Sequence, residues 1–332
     1  MTDMYGPPGL ATPALRALGT TDRDDLVLRS LTGVDEVELF NQLPYTLNHE
    51  LPDDLDAGRR RPDWMWVALR GGRLVARVAW WGRPDESSPL LLDVLDFDPG
   101  VEDAAAVAEA LLLAAAASVL DPASPTPEYG RYLSAGWRDD PSERAMVESL
   151  KGIVERAGAT SSNERLRLEW RPETPVPAGD ARLAFRDVEG DELLDLMARA
   201  LAGTLDVRSR ADLRDGTPAL AARRHHDEEL ARYTSPREWW RVATLGEGGD
   251  PVGFVVPARN AYHAVIAYLG VLPEHRGRGY VDGILAEGTR ILAAHDVPRI
   301  RAATDVDNTP MAAAFSRAGY VSFERAITMT WD

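Results

Sequence analysis

The sequence predicts an α/β protein, an α+β arrangement around a mixed sheet, in which one motif of about 150 residues is used twice. Three observations predict it. The length, 332 residues, is about two ordinary domains. Five segments of the first half return in the same order in the second. A stretch with three prolines, 171–180, separates the two copies. With 45% hydrophobic and 27% charged residues, the composition is that of a chain that buries a core without staples.

The elements follow in order. Segment 26–33 ends on Gly33 and resembles 183–190, which ends on Gly190; each leads into an acidic amphipathic helix, 36–43 or 192–201. Segments 64–69 and 74–81, across Gly71-Gly72, read as a hairpin. Their counterparts are 239–245 and 252–256, across a turn holding Gly248-Gly249. Strand 90–98 before Pro99 parallels 264–272 before Pro273, and each enters a helix, 103–120 or 279–295. Arg156-Ala157-Gly158 followed by Glu164-Arg165 matches Arg317-Ala318-Gly319 followed by Glu324-Arg325. Each half thus reads β-α-β-β-β-α-β-α-β. The expected division is an N-terminal tail 1–22, a first domain 23–170, a linker 171–180 and a second domain 181–332.

Charge and composition exclude several functions. A formal net charge of −16 repels phosphate backbones and anionic head groups, which argues against a nucleic-acid or membrane-surface partner. Only Lys151 among the 37 basic residues is lysine, a coding bias and not a device. The tail has no basic segment ahead of an apolar block, so it does not read as a secretion signal. The apolar stretch 104–120 is alanine-rich and broken by Glu109, which suits a buried helix better than a membrane span. The absence of cysteine removes disulfides, thiolate metal sites and a Cys nucleophile. These features together suggest a cytoplasmic protein.

The chemistry concentrates in the second half. The apolar strand ending at Leu272 runs into Pro273-Glu274-His275-Arg276-Gly277-Arg278-Gly279-Tyr280 and then a helix. Glycines at such a strand-to-helix turn let successive N–H groups point inward, and the helix dipole adds positive character there, which is what a pyrophosphate requires. No Gly-Lys-Ser/Thr follows, so this is not a P-loop, and the glycine spacing is not that of a dinucleotide fold. The bland reading, a tight turn with solvated arginines, stands beside this one.

These residues resemble the GNAT superfamily of acyl-CoA-dependent N-acyltransferases, whose signature is Arg/Gln-x-x-Gly-x-Gly/Ala after a strand ending Val-x-Pro. Here it reads from Val271 and Pro273 through Arg276 and Gly279 to Val281. A later family element, Asn then a helix then Gly-Tyr, is matched by Asn308, Phe315, Gly319 and Tyr320. The chain looks like the tandem two-domain actinobacterial members of the family, with two GNAT-like domains of which the first is degenerate. After Asp98-Pro99-Gly100 come Val101, Glu102 and Asp103, with no arginine and no second glycine.

The resemblance implies acetyl-CoA as co-substrate, with no metal. Its pyrophosphate would lie on Arg276, Gly277, Arg278, Gly279, Tyr280 and Val281, and its pantetheine along the main chain near Leu269 and Val271. Asn308 would contact the arm or hold the last strand apart, and Phe315 would also belong to the cofactor site. The partner would be a small-molecule amine, with a homodimer left open. Two departures from the family pattern stand out. Val281 takes the last Gly/Ala place and Asp282 follows it, expected to turn away as a cap. Phe315 takes the place of the tyrosine that in many relatives protonates the leaving thiolate, with Ser316 and Tyr320 as weak substitutes.

The general base is open among Asp305, His263, Glu274 and Asp307, of which Asp305 is best placed, and Asp305 and Asn308 are the expected catalytic residues. The competing reading of Asp305 is a strand-ending turn residue. The polar segment 202–238 would wall the acceptor pocket, and in it His225-His226 reads as part of a charged helix face. Trp64, Trp66, Trp80, Trp81 and Trp137 of the first half read as core residues, with the acceptor cavity as the alternative. An acyl-CoA-binding sensor or structural protein is the competing function, and transfer from charged tRNA is disfavoured by the net charge.

Overall fold

The computed structural model describes residues 25–214 and 216–331, so the expected tail 1–22 lies outside the described residues. The chain divides into two units, one running to residue 163 and taking in 326 onward, the other spanning 164–325.

In the first unit β1 (Leu26–Ser30) is followed by two short helices, α1 (Val37–Phe40) and α2 (Leu51–Asp56). Then come β2 (Met65–Arg70), β3 (Arg73–Trp81), β4 (Leu91–Phe97), helix α3 (Ala104–Val119), β5 (Glu128–Ser134) and helix α4 (Pro141–Arg156). The β2–β3 hairpin closes on Gly71 and Gly72, both left-handed at φ 56° and 81°, the geometry a two-residue turn needs and only glycine takes freely. Helix α4 starts where Pro141 supplies a helical φ and the Asp140 carboxylate accepts from the Ser142 and Glu143 N–H groups at 2.8 and 3.2 Å. Strands β1-β2-β3-β4 lie side by side and antiparallel, and β4 pairs in parallel with β5.

One face of this sheet packs Trp64, Trp80, Leu95 and Trp137 against Leu111 of α3 and Leu150 and Ile153 of α4. The other buries Phe40 of α1 and Leu51 of α2 against Met65, Val67 and Val94. Of the five tryptophans, Trp64, Trp80 and Trp137 are therefore core residues.

The second unit repeats the scheme. It begins with β6 (Ser161–Trp170), most of which lies in it, and β7 (Leu183–Asp187). Three helices follow, α5 (Glu192–Ala200), α6 (Val207–Arg214) and α7 (Pro218–Glu228). The remainder is β8 (Arg241–Leu245), β9 (Pro251–Arg259), β10 (Ala264–Val271), helix α8 (Tyr280–Ala293), β11 (Ile300–Asp305), helix α9 (Thr309–Arg317) and the start of β12 (Val321–Thr330), whose second half, from Ala326, belongs to the first unit. The strand order is β6-β11-β10-β9-β8-β7. One face buries Ile284, Leu285, Leu292 and Phe315 of α8 and α9. The other buries Leu193 and Met197 of α5 and Ala221 and Ala222 of α7 against Trp240, Phe254 and Val256.

The division differs from the expected one at its seam. β6, expected to close the first domain, pairs antiparallel with β11 from Ile300↔Trp170 to Asp305↔Arg165. Cross-strand charge fixes that register: Glu169 is buried and meets Arg301 at 2.8 Å, and Arg165 meets Asp305 at 3.2 Å. The proline-rich stretch 171–180 is accordingly the connection between β6 and β7. No helix among the described residues is long and apolar enough to cross a membrane.

Candidate active site

The central strand of each unit carries the same irregularity. Between β9 and β10 the register shifts from Ile266↔Pro257 to Tyr268↔Val256, which leaves Ala267 as an extra, bulged residue. Between β3 and β4 it shifts from Ala79↔Val94 to Trp80↔Leu92, leaving Asp93 as the extra one. A bulge bends the strand and increases its twist. Beyond it the central strand parts from its parallel neighbour. β10 pairs with β11 only at Ala264↔Ile300 and Val265↔Arg301, and β4 with β5 only at Leu91↔Glu128 and Leu92↔Tyr129. Each unit therefore opens a V at the carboxyl ends of two parallel strands, where main-chain groups have lost their sheet partners.

In the second unit the V stays open. Residues 267–271 of β10 are partly exposed, as is Ala302, and Ala303 of β11 is exposed. Leu269 and Val271, the expected main-chain contacts, lie on its β10 edge. From that edge the chain enters the loop 276–279. Gly277 and Gly279 are left-handed at φ 75° and 78°. A Cβ on Gly277 would meet nothing within 4 Å, so it is the backbone conformation and not crowding that requires glycine. Gly279 is the residue ahead of α8, and the first N–H groups of a helix have no intrahelical partner. Gly277, Arg278 and Gly279 are exposed. The N–H groups of these three residues bond to no described residue and stand at the positive end of a helix dipole.

The side chains there are placed less simply than their backbone. Arg276 turns away from the loop: its Nε donates to Val271 O at 3.0 Å, Nη1 to Ala202 O at 2.6 Å and Nη2 to Ala200 O at 2.6 Å. It closes the carboxyl end of α5 and ties that helix to the end of β10. Beside Arg278, a second cation stands at the loop, Arg182, which had no signal in the sequence. Held by Asp180 at 2.6 Å, it donates to Arg278 O at 3.2 Å and stacks over the Tyr280 ring at 4.5 Å. Asp282 makes no capping bond to α8; it pairs with Arg317 of α9 at 2.7 Å, which takes its charge away from the loop donors.

Across the V, Asp305 ends β11 and is 1% exposed. Its Oδ2 accepts from the Val207 N–H at 2.6 Å, at the start of α6, while Oδ1 faces Arg165 at 3.2 Å. Asn308 lies three residues on, its N–H bonded to Asp305 O at 3.0 Å. Because β10 and β11 run parallel, the loop 276–281 and the turn 305–308 stand at the same end of the V. Phe315 is buried, edge-on to Tyr320 at 5.1 Å. The Tyr320 hydroxyl is buried against the Thr289 hydroxyl at 2.9 Å and does not reach this opening, while Ser316 is exposed. Glu274 is exposed beside Arg199, and Asp307 is exposed. His263, at the start of β10, is held down to about 4 by burial and by the guanidinium groups of Arg301, Arg299 and Arg167.

The histidine pair corrects its expectation. His225 packs on the ring of Tyr268 with centroids 4.8 Å apart, and His226 stands edge-on to Trp240 at 6.2 Å. Both rings turn toward the sheet because α7 buries the face of Ala221 and Ala222. Burial lowers the pKa of His225, which keeps that ring neutral near pH 7.

In the first unit the V is filled. Counted from the bulge, Asp96 stands where Gly270 stands in the second unit, and its carboxylate meets Arg131 of β5 at 2.7 Å and Arg77 of β3 at 2.8 Å. The Arg131 guanidinium also lies 3.8 Å from the centroid of the Tyr45 ring, and the Tyr45 hydroxyl accepts from the Tyr132 N–H at 2.9 Å. The β5 N–H thus has a side-chain partner where a ligand would otherwise bind. The bulge residue Asp93 is buried on Arg60, whose two terminal nitrogens donate to it at 2.8 and 2.6 Å.

The chain is similar to several known proteins. Residues 210–320 match the family model described as the acetyltransferase (GNAT) family. A mycothiol acetyltransferase of Clavibacter michiganensis subsp. michiganensis (strain NCPPB 382) is 30% identical over 158 residues, 45% of this chain and 44% of its own. Another mycothiol acetyltransferase, of Clavibacter sepedonicus, is 28% identical over 200 residues, 55% of this chain and 56% of its own. The chain thus spans about half the length of these curated relatives. Among solved structures, a GCN5-related N-acetyltransferase of Sphaerobacter thermophilus aligns with TM-score 0.56 at 16% identity, over 92% of this chain and 95% of that one. A tandem GNAT protein from the clavulanic acid biosynthesis pathway aligns with TM-score 0.50 at 16% identity, over 92% and 98%. At these identities the structures speak for the fold, across most of the chain. The part of the chain that matches the acetyltransferase (GNAT) family model, residues 210–320, holds the strand-to-helix loop and most of the V.

Proposed function

We propose that the protein is an acyl-CoA-dependent N-acyltransferase that moves an acetyl group from acetyl-CoA to the amine of a small molecule, by direct attack in a ternary complex. One observation carries the reading: an open V between β10 and β11 leads directly into an exposed loop, left-handed at Gly277 and Gly279, whose N–H groups bond to no described residue. A linear ligand with a pyrophosphate at one end and an amide-bearing arm at the other matches that sequence of donors. The N–H groups from Gly277 to Val281 would hold the pyrophosphate, with Arg182 and Arg278 adding charge. The main chain at Leu269 and Val271 would meet the pantetheine amides, and the Asn308 side chain, which bonds to no described residue, faces the same end.

Acetyl-CoA supplies an activated thioester. The amine nitrogen bonds to the acyl carbon, the C–S bond breaks with its electron pair on sulfur, and the proton lost from nitrogen is balanced by one gained at sulfur. Both Asp305 oxygens are engaged, so we assign it to positioning: it anchors the start of α6 and thereby the wall over the V. Rate then rests chiefly on holding the reactants together and polarising the carbonyl with backbone donors. The relatives' names put the unacetylated form of mycothiol among the acceptors to try, and the reading places the protein in the cytoplasm.

The test is release of free CoA thiol from acetyl-CoA in the presence of that compound, glucosamine, spermidine, tyramine and L-lysine amide. Amine-dependent release with at least one of them is the expected result. Binding of acetyl-CoA with no release for any would overturn the transferase reading in favour of an acyl-CoA sensor, a reading that Phe315 and the engaged Asp305 would then support.

A further inference from the structure

Tyr268 follows the bulge directly and turns to the side of the sheet under α5 and α7, where its ring contacts Phe254 at 5.3 Å and His225 at 4.8 Å between centroids. Leu269, the next residue, packs on the opposite face. The hydroxyl of Tyr268 bonds to no described residue. Its charged surroundings are Asp206, from the turn ahead of α6, and Arg276, from the loop. Asp206 immediately precedes Val207, whose N–H is fixed on Asp305 at the end of β11. The phenol is thereby placed beside the V, on the side walled by α6 and α7 and away from α8. In the first unit the residue at the same count from the bulge is Val94, fully buried in the core. A hydroxyl at this place is peculiar to the unit whose V is open.

A tyrosine whose ring packs well and whose oxygen has no protein partner gains nothing for the fold over phenylalanine. The oxygen is not fully enclosed, so it is open to a ligand in the V. We propose that Tyr268 is a catalytic residue on the acceptor side: its hydroxyl oxygen accepts a hydrogen bond from the N–H of the attacking amine and directs the nitrogen lone pair at the thioester carbon, with His225 holding the ring from behind. This rests on the transferase reading above.

Burial pushes the phenol's ionisation well above its usual range, so it is a neutral hydrogen-bonding group throughout the working pH range. The titratable groups around the pair are His225 itself, Glu229 just past the end of its helix, Asp206, Arg208 and Asp212 from α6 and the turn ahead of it, and Arg276 from the loop. Any pH limb in the rate belongs to these groups or to the amine and is shared by wild type and variant.

The experiment compares wild type and Tyr268→Phe with the fastest of the five amines named above, following kcat/KM from pH 6 to 9, the Kd of acetyl-CoA and the melting temperature. The expected result is a loss of about tenfold or more in kcat/KM, at a ratio constant across pH, with acetyl-CoA affinity within about twofold and a melting temperature that does not fall. Unchanged kcat/KM would overturn the assignment. So would a variant that melts earlier or loses acetyl-CoA, since that describes a structural role, and so would a ratio that varies with pH, since that describes a titrating base. If wild type itself consumes no amine, the transferase reading fails first and takes this inference with it, an outcome visible before any variant is made.

Discussion

Gly279→Val is expected to weaken acetyl-CoA binding by at least about 100-fold, equivalent to about 2.7 kcal/mol. Gly279 sits at φ 78°, ψ 6°, a left-handed conformation that disfavours a side chain by about 1–2 kcal/mol and a β-branched one more. Space is not the obstacle: the nearest atom to a Cβ there is Arg182 Nη2 at 3.9 Å. The backbone itself must turn, and the N–H groups of residues 279–281 turn with it, away from a shared focus. Each hydrogen bond to a charged phosphate oxygen lost in this way removes roughly 1.5–3 kcal/mol. The fold has little stake in the loop, so the melting temperature should move by only a few degrees. Calorimetric titration checks the first claim and thermal unfolding the second; binding within about threefold of wild type would contradict the placement of the pyrophosphate.

The second large effect lies in the first unit, which has no counterpart of the loop 276–279. Arg60 is 1% exposed and supplies both terminal nitrogens to Asp93 at 2.8 and 2.6 Å and Nε to Asp54 at 3.2 Å. Arg60→Met leaves two buried carboxylates without that cation, and destabilisation by about 3–5 kcal/mol is expected. Arg60→Met with Asp93→Leu should recover much of it, because the stranded charge is gone. Burial already pushes the Asp93 carboxyl up despite Arg60. Without Arg60 it rises further, so the folded variant holds a proton that the unfolded chain has released. Stability of the variant is then lost as pH rises, and its deficit relative to wild type should shrink as pH falls toward 4. Denaturant unfolding of the three proteins at pH 4.5 and 7.5 measures this. A deficit below about 1 kcal/mol, or one that grows on acidification, would contradict it.

Much of this was legible in the sequence because it is local. The repeat is a matter of order along the chain, and the glycine spacing at 277 and 279 states its own backbone requirement. Missing were features made by contacts distant in sequence. Asp305 accepts from an N–H 98 residues away, which no strand-end pattern shows. Arg276 looked like a phosphate ligand because its targets, the carbonyls of Ala200 and Ala202, lie 76 and 74 residues upstream. The bulge at Ala267 was hidden too, since an apolar strand buried on both faces has no alternation to interrupt, and with it went the placement of Tyr268. His225 was misread for a related reason: a run of charged neighbours concealed that α7 turns that ring to the sheet. In the sequence the first half differs only by the loop it lacks. That its V is also filled, by Arg131, Asp96 and Tyr45, required the two strands to be seen diverging.

The central claim is that one V binds acetyl-CoA and its counterpart does not. Calorimetric titration of the whole chain with acetyl-CoA tests it most directly. One site per chain, removed by Gly279→Val, is the predicted result. Two sites would contradict the filled V of the first unit, and no site would contradict the loop and V of the second.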